Sequence, residues 1–174
     1  TRAMNDLIIN KGTVQAHLQV AEGVDKKNFK RFVYEAQYID LRELMCEAFY
    51  NDLVSNYTSA IYQNLLVGGS YTFEGKTYYY EGLEIVLSYF AYARFITESN
   101  IQSTSFGMVR KNSQESERAS QRELEAMAQK NTERALMLFQ STKLFLDRNE
   151  ETYTFWECDD CDTNTDKTNI ELWG

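Results

Sequence analysis

The 174-residue sequence contains no proline and a single histidine, and it has no apolar run as long as a membrane-spanning helix. Proline interrupts helix interiors, so its absence is compatible with long helices. The most apolar segment lies between Leu83 and Ile96, and it is shorter than the ~20 residues that a bilayer core requires. It also contains Glu84 and Arg94. We therefore expect no transmembrane span and no membrane partner.

Basic residues are also scarce, because the formal net charge is −8 and the sequence pI is near 4.8. Nucleic-acid affinity depends mainly on phosphate neutralisation by lysine and arginine, so this composition argues against a protein that grips DNA or RNA. It does not exclude a surface past which DNA slides. Hydrophobic residues make up 43% of the chain, which predicts one folded domain with a real core, with or without extended arms.

The stretch from Tyr71 to Ile96 combines two patterns and is expected to organise the fold. Aromatic and β-branched residues flank Glu74-Gly75, and such a glycine-containing turn is typical of a β-hairpin, here at about residues 70–80. From Leu83 onward, apolar residues occupy almost every side of a helix, which is typical of a buried one. We expect this helix to be central and the hairpin to project from its start. We also expect the aromatic flanks of the hairpin to be exposed, because a lone two-stranded ribbon cannot bury them itself.

The first half of the chain shows several short helical patterns. Leu7 to Ile9 predict either a short strand or an anchoring extended arm, and Thr13 to Ala21 has the spacing of a short helix. Asp25 is placed to cap a second helix. Asp40 to Glu43 has the form of a capping box, which predicts a bend or a new helix there. The apolar positions are Val14, Leu18, Phe29, Phe32, Val33, Ala36, Leu41, Leu44, Met45, Ala48, Phe49 and Leu53, followed by Ile61, Tyr62, Leu65 and Leu66.

The second half contains one polar connection and one long helix. Thr97 to Asn112 contains glycine and is too long for a simple turn. From about Ser113 to about Arg148 the pattern is helical, and a helix of ~35 residues extends ~50 Å, longer than a compact domain of this size is wide. We expect it to protrude or to pack against a neighbouring copy, with Leu136 to Leu146 rejoining the core. Its coiled-coil-like seam consists of Leu124, Ala128, Asn131, Ala135, Leu138, Thr142 and Phe145.

The C-terminal segment from about Thr152 to Gly174 is acidic and predicts an extended arm with an aromatic anchor at each end. The residues of the first anchor are Tyr153, Phe155 and Trp156, and those of the second are Ile170, Leu172 and Trp173. Within it, Cys158 and Cys161 have the spacing of zinc ligands, but a zinc site needs four ligands, and the acidic residues between them disfavour a reactive thiolate. The glycine that a calcium loop requires is replaced by Thr165. We expect a solvated acidic turn without metal rather than a calcium loop at Asp160, Asp162, Asn164, Asp166, Thr168 and Glu171.

No catalytic arrangement is recognisable in the sequence. His17 has neither an orienting partner nor a nucleophile near it in the chain. There is no glycine-rich phosphate loop, nucleophile elbow or His-Glu-x-x-His motif. Cys46 lies beside an apolar stripe and is expected to be a small packing residue. We expect no enzyme activity and no cofactor, and synthesis in a reducing cytoplasm.

Four segments carry a family resemblance. In chain order they read EAQYIDLRELMCEAFYNDL, YYYEGLEIVLSYFAYARFI, TSFGMVRKNS and FLDRNEETYTFWEC. In their aromatic pattern, order and spacing they resemble the head–tail connector proteins, also called adaptor or head-completion proteins, of tailed bacteriophages that infect Bacteroidetes (the crAss-like phage type). The resemblance covers most of the chain, and the acidic segment after Trp156 matches least well.

The resemblance implies a single, mainly α-helical connector domain over residues 1–174, with one very long helix, a projecting hairpin and extended N- and C-terminal arms. Such subunits form a ring, by family analogy a dodecamer, in the virion neck, where they contact the portal protein and other neck or tail proteins. Double-stranded DNA passes through without specific binding. The candidates for an acidic lining are a polar helix face or the hairpin tip, where Glu74 and Glu81 lie close in sequence. The alternative is a cytoplasmic helical interaction or regulatory protein without a ring.

Overall fold

The computed structural model describes residues 7–98, 101–104, 107–110 and 120–156. Within these residues the chain forms six α-helices and two small antiparallel hairpins. The helices are α1 (Lys11–His17), α2 (Lys26–Glu35), α3 (Glu47–Asn56), α4 (Ala60–Val67), α5 (Leu83–Glu98) and α6 (Gln121–Asp147). The strands are β1 (Gly69–Phe73), β2 (Lys76–Tyr80), β3 (Ile101–Thr104) and β4 (Gly107–Arg110).

Helix α5 lies at the centre of the fold, as its apolar sequence predicts. It packs against α1, α2, α4 and α6, and α6 is its most extensive neighbour. Ser88 carries the one fully buried hydroxyl group of α5. Its Oγ donates to the carbonyl oxygen of Glu84 in the same helix at 2.7 Å, so it does not need a partner from another element.

In the part of the chain that the structure describes, no helix combines the length and apolarity needed to cross a membrane.

Helix α6 is shorter than the sequence pattern predicts, because a capping box fixes its first residue. Ser120 Oγ accepts the Glu123 backbone N–H at 3.2 Å, and Glu123 Oε2 accepts the Ser120 backbone N–H at 2.7 Å. The hydrogen bonds from Ser120 lower the pKa of Glu123. The helix therefore has 27 residues rather than the expected ~35, and its length is ~40 Å. The prediction of one very long helix was wrong.

The predicted seam of α6 faces α5 of the same chain. Asn131, Ala135, Thr142 and Phe145 are buried along it, and the small residues among them allow close approach of the two helices. The Asn131 amide is satisfied within its own helix, where Nδ2 donates to the Met127 carbonyl oxygen at 2.8 Å. This part of the seam is therefore an intramolecular contact, whereas Leu124, Ala128 and Leu138 are half-buried.

The first two helices are fixed by local caps. Asn10 accepts the backbone N–H groups of Gly12 and Thr13, so α1 begins at Lys11, and it ends at His17 rather than at Ala21. Asp25 caps α2 as predicted, because its carboxylate accepts the Lys27 N–H at 2.9 Å. The predicted apolar residues of this helix are buried: Phe29, Phe32, Val33 and Ala36.

The segment before α1 is an anchoring arm without strand structure. Ile8 and Ile9 are buried, which agrees with the second of the two alternatives for this segment. The Ile8 N–H donates to the side-chain oxygen of buried Gln37 at 2.8 Å. A polar side chain inside the core thus satisfies a backbone group that a neighbouring strand would otherwise pair. Residues 1–6 lie outside the described part of the chain.

The capping box predicted at Asp40 to Glu43 does not form. Helix α2 instead continues into a π-helical segment, Ala36–Leu41, which includes Asp40. The Asp40 carboxylate binds Arg94 on α5, so it is not available to cap a helix. The new helix, α3, begins at Glu47 after an extended residue, Cys46.

The β1–β2 hairpin has the predicted turn. Tyr71 pairs with Tyr78, and Glu74 and Gly75 form the two-residue connection. Both turn residues have positive φ, 49° and 73°, as a type I′ turn requires.

A second hairpin, β3–β4, lies within the predicted polar connection, with Ile101 opposite Arg110. It is too short and too polar for its alternation to predict strands from sequence.

Candidate functional site

The inner face of the β1–β2 hairpin packs on the C-terminal end of α6. Arg148 lies over three hairpin rings, with its guanidinium carbon 4.2 Å from the ring centre of Tyr78, 4.6 Å from that of Phe73 and 5.9 Å from that of Tyr71. Arg148 Nη1 also donates to Tyr71 Oη at 3.0 Å. The expectation that the hairpin leaves its aromatic flanks exposed was therefore wrong for this face, which finds its partner within the chain.

The base of the hairpin continues into the aromatic core. The rings of Tyr80 and Phe145 stack in parallel with their centres 3.9 Å apart. Tyr80 Oη donates to the carbonyl oxygen of Asn64 on α4 at 3.0 Å. Burial raises the pKa of Tyr80, so its hydroxyl stays protonated and keeps this donor role. The hairpin is thereby attached to both α4 and α6.

The segment after α6 closes the same end of the molecule. Of the three residues predicted as an aromatic anchor, Tyr153 and Trp156 are buried and Phe155 is 50% exposed. The described start of this segment forms turns rather than an extended arm. Tyr153 Oη donates to the Ile61 carbonyl oxygen at 3.1 Å, and burial, with a contribution from Tyr80, raises the pKa of Tyr153 to about 12. Trp156 Nε1 donates to Asp147 at 2.7 Å. We call this region the hairpin end: α4, β1, β2, the second half of α6 and residues 148–156.

The hairpin end carries most of the large apolar side chains that remain exposed in the described residues. Tyr79 is 76% exposed, Met137 74% and Val67 64%. Strand alternation places Tyr79 on the opposite face from Tyr78 and Tyr80, away from α6. Concentrated exposed apolar surface marks an interaction site more often than isolated residues do. The exposed set at this end is Ile61, Val67, Tyr79, Met137, Leu144 and Phe155.

A second feature is an ion-pair cluster between α2, the π-helical segment and α5. Arg94 Nε and Nη2 donate to the two carboxylate oxygens of Asp40 at 2.7 and 2.8 Å, and Nη1 donates to Glu35 at 3.1 Å. The bonds to Asp40 and the charges of both carboxylates raise the pKa of Arg94. Arg94 borders an open groove towards α6. Because each of its nitrogens already faces a carboxylate, the cluster is a brace between helices rather than an anion site.

We expect Asp40→Asn to lower the free energy of unfolding by about 1–3 kcal/mol, because it weakens two charge-assisted hydrogen bonds at a largely covered site. Glu47→Gln is the matched control, since it removes the carboxylate that pairs with Arg42. In this ion pair the Arg42 side chain is 50% exposed and the Glu47 side chain 67%. That change is expected to remove less than about 1 kcal/mol. Urea unfolding measures the free energy of unfolding of both variants. Equal losses would show that the ion pairs of Arg94 stabilise the fold no more than an exposed ion pair does.

Of the candidate metal and catalytic residues, the structure describes only His17. His17 lies exposed at the end of α1. Cys158, Cys161 and the acidic loop from Asp160 to Glu171 lie outside the described residues. Among the residues that are described, no group of three histidine, cysteine or acidic side chains could hold a metal ion.

Cys46 is buried, as expected for a packing residue, and its Sγ lies 3.3 Å from the carbonyl oxygen of Phe155. Its sulfur is also disulfide-bonded. This bond was not anticipated in the sequence, where Cys46 lies beside an apolar stripe. The expectation that Cys46 acts only by packing was therefore incomplete.

The fold and this end of the molecule define a mainly helical protein with a small antiparallel hairpin docked on its longest helix. The chain belongs to DUF6712, a family of unknown function, whose model matches residues 41–166. The match begins at the end of the π-helical segment and includes α3 to α6 and both hairpins. No curated protein matches the sequence. No solved structure matches it either.

Proposed function

We propose that this protein is a structural virion subunit that forms a ring in the neck of a tailed phage, where it joins the portal to the tail and lets the genome pass. The proposal starts from the resemblance to head–tail connector proteins. It includes a homo-oligomeric ring, contacts with the portal protein and neighbouring neck or tail proteins, and a location at the head–tail junction. It assigns no catalytic role to the chain.

The observation that carries the proposal is the exposed apolar set at the hairpin end. The hairpin, helix α4, the second half of α6 and the turn after it present these side chains, and the contacts described above hold these elements together. Interface hot spots are typically aromatic or large side chains at well-packed positions, and each contributes ~2 kcal/mol or more. Tyr79 is the strongest candidate, because its neighbour Tyr80 is buried and Tyr78 is half-buried, whereas Tyr79 itself is exposed.

The distribution of charge bears on the passage of DNA. On the first half of α6 the exposed charged residues are balanced: Arg122, Lys130 and Arg134 against Glu123, Glu125 and Glu133. Most of the chain's net charge of −8 instead comes from the segment after Trp156, which has six carboxylates and one lysine. In a ring, this segment and Glu74 at the hairpin turn are better sources of an acidic lining than the face of α6. Such a lining would repel phosphates and prevent tight contacts.

The test is the mass of the assembled protein, measured by light scattering or native mass spectrometry, alone and with portal protein. We expect a ring-sized multiple of the 20.3 kDa chain in at least one of these conditions. Tyr79→Ser should reduce the assembled fraction strongly, because loss of a hot spot of ~2 kcal/mol weakens association about 30-fold.

Ile39→Ser is the matched control, since Ile39 is 45% exposed but lies on the π-helical segment, away from the hairpin end. Assembly of this variant should resemble that of the unmodified protein. A protein that remains monomeric or dimeric with and without portal would refute the ring and favour the alternative of an interaction protein without one.

A further inference from the structure

The side chain of Cys46 lies against the last described turn of the chain. Cys46 is buried just before α3, and its Sγ is 3.3 Å from the carbonyl oxygen of Phe155. In the first turn of the same helix, the Phe49 ring packs edge-on against the Trp156 ring, with 5.1 Å between their centres. The start of α3 and residues 153–156 are therefore in direct contact.

The sulfur of Cys46 is disulfide-bonded, and the sequence contains only two other cysteines, Cys158 and Cys161. Cys158 follows Phe155 by three residues, which extend at most about 11 Å. Because a disulfide joins Cα atoms about 4–7 Å apart, a chain that already contacts Sγ at Phe155 can reach Cys46 with Cys158. A bond to Cys161 closes a loop that is three residues longer, and a longer loop has a larger entropic cost of closure.

The surroundings of Cys46 also suit the reduced thiol. An S–H group is a weak donor, and the Phe155 carbonyl oxygen is an acceptor at a suitable distance. Residues 153–156 have noncovalent attachments as well, because Tyr153 and Trp156 are buried and donate to Ile61 and Asp147. A reduced form that is stabilised in this way makes a disulfide easier to reduce. These features are typical of a reversible disulfide rather than a permanent one.

We propose that Cys46 and Cys158 form a reversible disulfide that fastens the acidic segment after Trp156 to the start of α3 under oxidising conditions and frees it under reducing ones. The bond forms when the two thiols lose two protons and two electrons to a low-molecular-weight disulfide such as oxidised glutathione, which becomes two thiols. Reduced glutathione reverses the step through a mixed disulfide. The switch controls where six carboxylates and one lysine are held. This inference does not depend on a ring.

The first experiment identifies the pair by alkylation and mass spectrometry of the full chain after equilibration with oxidised glutathione. A cysteine that is alkylated or carries glutathione counts as unpaired. We expect one unpaired cysteine in the unmodified chain, none in Cys161→Ser and two in Cys158→Ser. The opposite result for the two variants would overturn the choice of Cys158. Three unpaired cysteines in the unmodified chain, or a disulfide-linked dimer, would overturn the proposed bond.

The second experiment tests the switch in glutathione buffers that range from oxidised to reduced. In the unmodified chain and in Cys161→Ser, the bond is expected to open in the reduced buffer. Amide hydrogen exchange over residues 149–156 should then rise about tenfold, because an intact disulfide restricts the locally open state. Exchange in the centre of α5 should not change.

Cys158→Ser is the control for this experiment, because its exchange over residues 149–156 should be the same in both buffers. A bond that stays intact in reduced glutathione would show a permanent disulfide and overturn the switch. A bond that opens without faster exchange over residues 149–156 would overturn its role in fastening the segment. Both outcomes are read from the unmodified chain, so they do not require that any variant folds.

Discussion

Gly82→Ala is expected to lower the free energy of unfolding by about 4 kcal/mol, among the largest effects of a single substitution. Gly82 has a φ of 79°, a conformation that is strained for alanine. A Cβ atom at this position would also lie 2.4 Å from the Leu66 carbonyl oxygen and 2.5 Å from the Gly68 nitrogen. These are backbone atoms at the end of α4, and they cannot move aside as a flexible side chain would.

Gly75→Ala separates the effect of the positive φ from the effect of the steric contact with α4. Gly75 has a similar φ of 73°, but an added Cβ would meet nothing within 4 Å. That variant should therefore lose only about 1–2 kcal/mol, the penalty of the left-handed conformation. Thermal unfolding resolves the difference, because 4 kcal/mol corresponds to a decrease in Tm of about 10 °C for a domain of this size. Equal decreases in Tm for the two variants would mean that the backbone at Gly82 and at the end of α4 moves apart easily.

Phe49→Ala is expected to lower the free energy of unfolding by about 3–5 kcal/mol, the usual range for a large cavity in a core. Phe49 is fully buried on α3, and its ring lies 5.1 Å from that of Trp156, 6.0 Å from that of Tyr62 and 6.3 Å from that of Tyr153. It therefore joins α3 to α4 and to the segment after α6. The substitution should also make that segment more sensitive to limited proteolysis.

The control for this variant is Phe155→Ala, which removes the same ring from a side chain that is 50% exposed. We expect a loss of less than about 1 kcal/mol, because little packing is removed. Urea unfolding and proteolysis measure both variants. If Phe155→Ala were as destabilising as Phe49→Ala, the aromatic cluster around Phe49 would not be the main attachment of this segment. Phe155→Ala remains informative in the assembly measurement, because Phe155 belongs to the exposed set.

The candidate surface was only partly predictable. The turn at Glu74-Gly75 and the apolar anchor at Tyr153 and Trp156 were correctly located, since both depend on residue types next to each other in the chain. Which hairpin face is buried was not predictable, because Tyr71, Tyr78 and Tyr79 are the same residue type. The buried face is the one that meets Phe145, which stacks on Tyr80, and Arg148, which lies 77 positions from Tyr71.

Two errors in the helices had different origins. The extra length assigned to α6 came from following helical periodicity past Ser120, although Ser120 and Glu123 have the spacing of a capping box and could have been recognised. The capping box assigned at Asp40 could not have been excluded in the same way. Its carboxylate is taken by Arg94, 54 positions further along the chain, and no local pattern indicates such a partner.

The sequence by itself determined the features that depend on short-range interactions: the I′ turn, the Asp25 cap, the apolar helix α5 and the seam of α6. Each of these features depends on residues that are a few positions apart, so the local sequence pattern predicts it without knowledge of the fold. Tertiary structure alone decided the π-helical segment, the partner of Asp40, the docking of the hairpin on Arg148 and the exposure of Tyr79. Each of these depends on groups that are distant in the chain and meet only when α5 and α6 pack. The local sequence is equally compatible with several local structures, and packing selects one of them.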